Sequence, residues 1–128
     1  MKTETSWLQT LAGNVLYVED EPLIAMETED LLRDLGIERL AVAHNFARAE
    51  QLIDSNEFTL AIMDMNLNGT LSTPLVDSLS ARGVPVLVTS GYNTGENFAA
   101  SKFVIAVQKP FTEAAIVDGL ERLAAATL

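Results

Sequence analysis

Alternation constrains this chain more than any other feature. Short apolar, β-rich runs recur between stretches with helical spacing. Val15-Leu16-Tyr17-Val18 is the first run, and it stops abruptly at Glu19-Asp20-Glu21. Pro22 suits the first turn of a helix, where its missing N–H costs nothing. Ile24, Thr28, Leu31, Leu32 and Leu35 then recur at helical spacing until Gly36 ends the pattern. A weaker second run covers Leu40–Ala43. Asn45 is a natural N-cap for a helix carrying Phe46, Ala49, Leu52 and Ile53 on one face. The third run, Leu60 to Met63, is stopped by Asp64, and Asn66, Asn68 and Gly69 read as a loop. Ser72 or Thr73 with Pro74 opens a helix through Leu75, Val76 and Leu79, closed by Arg82-Gly83. Val84 to Val88 is the fourth run, with Pro85 near its start, where a proline is tolerated. The segment from Thr89 to Gly95 is polar and punctuated by glycine, and any helix between Glu96 and Lys102 is short. Phe103 to Val107 is the fifth run, and Thr112 caps a last helix with Ile116, Leu120 and Leu123 facing inward.

Five β-then-α units predict a doubly wound α/β fold: a parallel five-stranded sheet with helices on both faces. Right-handed crossovers leave few topologies. The 128 residues fit one domain, and 48% apolar content is enough for a core. Residues 1–13 read as an N-terminal extension and residues 14–128 as the domain. Trp7, Leu8 and Leu11 are spaced like one helix face that packs on the domain, unlike the continuous apolar stretch of a signal peptide. No apolar run is long enough to span a bilayer. A cytoplasmic protein is therefore the expectation. The formal charge of −10 disfavours nucleic acid and anionic membrane surfaces, which need clustered Lys and Arg. With no cysteine, thiol chemistry and Cys-bound metals are excluded. His44, the single histidine, reads as a partly exposed residue near a helix start.

In open parallel sheets the functional site lies beyond the carboxyl ends of the strands. Glu19, Asp20 and Glu21 follow the first run, Asp64 the third, Thr89 and Ser90 the fourth, and Lys109 and Pro110 the fifth. Taken singly, each has an ordinary explanation as a helix cap, a turn residue or a solvated charge. Together they place acids, a hydroxyl and an ammonium on one edge. Carboxylates this close repel and call for a cation. Hard oxygen ligands suit Mg²⁺, with Mn²⁺ as second choice. A metal, a lysine and a hydroxyl around one carboxylate are what phosphoryl transfer to that carboxylate requires.

From about Val15 to Leu123 the chain resembles the receiver domain of two-component response regulators. The resemblance rests on Val15-Leu16-Tyr17-Val18-Glu19-Asp20-Glu21-Pro22, on Asp64 with Asn66, on Ser90-Gly91, and on Lys109-Pro110-Phe111. It implies a flavodoxin-like (βα)5 sheet with strand order 2-1-3-4-5. It further implies that Asp64 accepts the phosphoryl group. Asp20 would bind Mg²⁺, and Glu19 would act directly or through a bound water. Asn66 would offer its backbone carbonyl to the metal. Ser90 would hydrogen-bond the phosphoryl group and Lys109 would pair with it. Pro85-Val86-Leu87-Val88-Thr89-Ser90-Gly91-Tyr92 is similar to the signature of the FAT GUY receivers, Pro-Phe-x-Phe-Ala-Thr-Gly and then a small residue or tyrosine. Both phenylalanines are replaced here. Receivers usually carry Phe or Tyr three positions before the lysine, but this chain has Ala106. The usual aromatic switch is therefore missing, and Tyr92 is the candidate substitute.

The resemblance implies a signalling phosphoacceptor rather than a metabolic enzyme, and a length of 128 residues makes a stand-alone receiver the expectation. Its expected partners are a histidine kinase or a histidine phosphotransfer protein. Its output would be protein contact or competition for phosphate. Two alternatives remain. A small Mg²⁺-dependent phosphatase would form an aspartyl phosphate and turn over esters. A degenerate receiver would act only as a binding module.

Overall fold

Elements follow one another as the alternation dictates. The computed structural model describes residues 6–90, 104–108 and 112–127. In chain order they are α1 (Ser6–Leu11), β1 (Val15–Val18), α2 (Pro22–Asp34), β2 (Leu40–Ala43), α3 (Phe46–Ser55) and β3 (Leu60–Asp64). Then come β4 (Asn66–Leu67), β5 (Thr70–Leu71), α4 (Thr73–Ala81), β6 (Val86–Ser90), β7 (Val104–Gln108) and α5 (Glu113–Thr127). Five parallel strands form one sheet in the order β2-β1-β3-β6-β7. With the β4–β5 hairpin set aside, this is the flavodoxin-like order 2-1-3-4-5.

The central strands are apolar throughout because both of their faces are covered. Every residue of β1 and β3 is buried. On one face Leu16, Val18, Ala61, Met63, Val86 and Val88 pack against Ala49 and Ile53 of α3 and Leu75, Val76 and Leu79 of α4. On the other, Val15, Tyr17, Leu60, Ile62 and Leu87 meet Ala25 and Leu32 of α2, Trp7 and Leu11 of α1, and Ile116, Leu120 and Leu123 of α5. Each large apolar side chain so enclosed contributes about 1.5–3 kcal/mol.

The helix punctuation follows the sequence closely. Pro22 occupies the first turn of α2. Gly36, just past α2, takes φ +113, a conformation that side chains resist. The Asn45 side chain accepts the Arg48 N–H at 2.8 Å, and the Thr112 hydroxyl accepts that of Ala115 at 3.1 Å.

Four local readings shift. The fourth strand begins at Val86, because Pro85 has no N–H to pair, although its carbonyl accepts the Ala61 N–H at 3.0 Å. It runs on through Thr89 and Ser90, so both are strand residues. The fifth strand extends to Gln108. The expected loop after Asp64 is a hairpin, β4 paired with β5, turning on Asn68 (φ 55) and Gly69 (φ 92). Two consecutive positive φ values are what an Asn-Gly type I′ turn requires. Ser72 precedes α4, but its hydroxyl makes no capping bond and is buried without a partner among the described residues. The expected helix at 96–102 lies outside the described residues, as does Phe103.

Ahead of β1, α1 is tied to the sheet. Trp7 and Leu11 are each 2% exposed. Thr59 clasps the turn after α1: its hydroxyl donates to the Leu11 carbonyl at 2.6 Å and accepts from the Gly13 and Asn14 N–H groups.

Candidate functional site

Glu19 is the first residue beyond β1, yet it still pairs with the end of β2. Its N–H donates to the Ala43 carbonyl at 3.0 Å, and its own carbonyl lies 3.2 Å from Nδ1 of His44. The carboxylate accepts the Glu21 N–H at 3.2 Å, and the residue is 1% exposed. Asp20 follows, half-buried. Asp64 ends β3, the central strand, at 8% exposure, and its Oδ1 accepts the Asn66 N–H at 3.2 Å. β1 and β3 are neighbours in register, so their carboxyl ends bring the acids together. One carboxylate oxygen each from Glu19, Asp20 and Asp64 lie within 4.8 Å of one another.

Three charges at that spacing are costly. Two unit charges about 4.8 Å apart repel by about 3–4 kcal/mol at an effective dielectric of about 20. A divalent cation reverses the sign. The donor set is all carboxylate oxygen and the chain has no cysteine. Hard oxygen donors fit Mg²⁺, which takes one or two carboxylates and fills its remaining positions with water or phosphate oxygen.

The remaining candidates divide. Asp64 pairs with Thr89 across the β3–β6 ladder, and Ser90 pairs with Gln108 across β6–β7. Ser90 and the residue preceding Lys109 therefore sit at the same sheet edge as the acids. Lys109 and Tyr92 lie outside the described residues. Ala106 is exposed on β7, opposite Val88. Asn66 starts the hairpin, with its side chain accepting the Gly69 N–H at 2.7 Å. Burial pushes the Tyr17 phenol well above its ordinary range, and the charges of Glu19, Asp64 and Glu29 add to this. Thr28 opposes the shift, yet the phenol oxygen meets no hydrogen-bond partner among the described residues. His44 is the residue that reading along the chain undervalued. Its position directly after the second apolar run was the available signal.

The response regulator receiver domain model matches residues 15–121. The chain belongs to this family. As a receiver domain, it resembles solved members throughout. It is 34% identical to SdrG from Sphingomonas melonis Fr1, with TM-score 0.70, covering 86% of this chain and 94% of that one. The receiver domain of the PhyR response regulator from Erythrobacter litoralis is 26% identical, with TM-score 0.73 over 90% of this chain and 92% of that one. The anti-anti-sigma factor PhyR from Bartonella quintana is 26% identical, with TM-score 0.74 over 93% of this chain and 50% of that one. The FAT GUY group of receivers fits these neighbours. No curated protein matches. The acidic cluster fits the Mg²⁺ site that receivers of two-component signalling use, and no helix of the described residues is long and apolar enough to cross a membrane.

Proposed function

We propose that this receiver accepts a phosphoryl group from a histidine kinase, or a histidine phosphotransfer protein, onto Asp64, and signals through protein contacts. The observation that carries this reading is the convergence of Glu19, Asp20 and Asp64 at one edge, with Asp64 on the central strand. An Asp64 oxygen attacks phosphorus in line. The P–N bond of the donor breaks, and the leaving imidazole keeps the electron pair and takes up a proton. Glu19, Asp20, Asp64 and the Asn66 carbonyl would hold Mg²⁺ (or Mn²⁺), which when bound would neutralise charge on the transferring group. Ser90 hydrogen-bonds the new phosphoryl oxygens and Lys109 pairs with them. Phosphorylation adds about −1 to −2 of charge by analogy with other phosphorylated side chains. Tyr92, in place of an aromatic at Ala106, completes the switch. The −10 charge favours a protein target over nucleic acid.

Incubation with a small phosphodonor and Mg²⁺ tests this reading. The native chain takes up one acid-stable, base-labile phosphate, and Asp64→Asn takes up none. Labelling that survives Asp64→Asn rejects Asp64 as acceptor. Multiple-turnover hydrolysis of phosphate esters would favour the phosphatase instead.

A further inference from the structure

Glu19 is held at both of its backbone groups by the end of a neighbouring strand. The Ala43 carbonyl takes its N–H. Its own carbonyl is met by Nδ1 of His44 at 3.2 Å. A carbonyl can only accept, so Nδ1 carries the hydrogen in this contact. The Glu19 carbonyl belongs to the planar peptide unit that joins Glu19 to Asp20. Orienting that oxygen therefore sets ψ of Glu19 and φ of Asp20 together, and with them the directions in which both side chains leave. The His44 side chain is exposed, but its backbone is held between two anchored neighbours. Ala43, before it, is the last residue of β2 and fully buried. Asn45, after it, is the side-chain N-cap of α3. His44 is thus a one-residue junction between two anchored elements.

We propose that His44 is a positioning residue that fixes the spacing of Glu19 and Asp20 for Mg²⁺. The role rests on the Mg²⁺-dependent reading of the site. The imidazole is not itself a ligand, since the grouped donor atoms come from Glu19, Asp20 and Asp64. Mg²⁺ demands near-ideal octahedral geometry, whereas Ca²⁺ tolerates irregular shells. Loosening one peptide unit should therefore weaken Mg²⁺ more than Ca²⁺. Asn at position 44 is the conservative replacement, because its side-chain amide N–H falls near the position of Nδ1.

The test follows the Glu19 and Asp20 backbone amides by NMR, without any phosphodonor, during separate MgCl₂ and CaCl₂ titrations. Loss of one hydrogen bond in His44→Ala raises the Mg²⁺ Kd about three- to tenfold. The Ca²⁺ Kd changes less, and His44→Asn restores the Mg²⁺ value to within about twofold of native. In the metal-free protein, hydrogen exchange of the Asp20 amide quickens in His44→Ala and recovers in His44→Asn. Equal weakening of both ions, or a His44→Asn protein as weak as His44→Ala, overturns the role. Unchanged Asp20 exchange in His44→Ala overturns it whether or not Mg²⁺ binds. Failure of the native chain to bind Mg²⁺, with the exchange effect intact, counts against the proposed function alone.

Discussion

Tyr17 is the residue whose chemistry and surroundings disagree most. It sits on β1 at 2% exposure among apolar neighbours, and its hydroxyl has no hydrogen-bond partner among the described residues. A buried unpaired polar group costs about 1–3 kcal/mol. Tyr17→Phe keeps the ring and removes the penalty, so urea denaturation should show a gain of about 1 kcal/mol. The same substitution should alter the alkaline limb of stability. Burial raises the phenol's pKa in the folded chain. The unfolded chain therefore releases this proton first, at about pH 10. Stability from this group is complete below that pH and falls above it, by about 1.4 kcal/mol per pH unit. Tyr17→Phe should flatten this fall; an unchanged alkaline limb would show that Tyr17 does not govern it. The sequence showed Tyr17 only as one more apolar position in a strand. The missing partner depends on what α2 brings opposite it.

At the scale of elements, α1 and the β4–β5 hairpin mark where the chain adds to the five βα units. Trp7 and Leu11 of α1 lie in the same apolar cluster as Leu32 of α2 and Leu120 of α5. Trp7→Ala should therefore cost about 3–5 kcal/mol, like other large core truncations. Because Trp7 is the chain's only tryptophan, circular dichroism rather than fluorescence must follow the unfolding. A cost below about 1 kcal/mol would make α1 a dispensable decoration. The helical spacing of Trp7, Leu8 and Leu11 was visible in the sequence. The hairpin reads in the sequence only as a loop, although Asn68-Gly69 is a strong two-residue turn signal. Its strands are two residues each, too short to show a period of two. Ser72 misled for a related reason: a serine before Thr73-Pro74 has the composition of a cap. Only the packed structure shows its N–H donating to the Met65 carbonyl at 2.8 Å while the hydroxyl stays buried with no partner among the described residues.

Across the whole molecule, the fold concentrates negative charge on a chain that already carries −10. Three carboxylates grouped at one edge repel one another, and a cation that joins them relieves that repulsion. Asp20→Ala should raise the thermal stability of the metal-free protein, while abolishing the gain from Mg²⁺. For the native chain that gain is about 2.7 kcal/mol at about one hundred times the Kd. Equal Mg²⁺ stabilisation of native and Asp20→Ala chains would remove Asp20 from the site. The sequence alone determined the layers, the alternation of elements and the acids that end the first and third runs. These are local matters: apolar periodicity, proline and glycine punctuation, and a polar residue where a buried run must stop. Only the tertiary structure decided the 4.8 Å grouping of the acids and the contact of His44 with the Glu19 carbonyl. Those contacts join residues far apart in the chain, and their spacing depends on strand register and on which strands lie side by side.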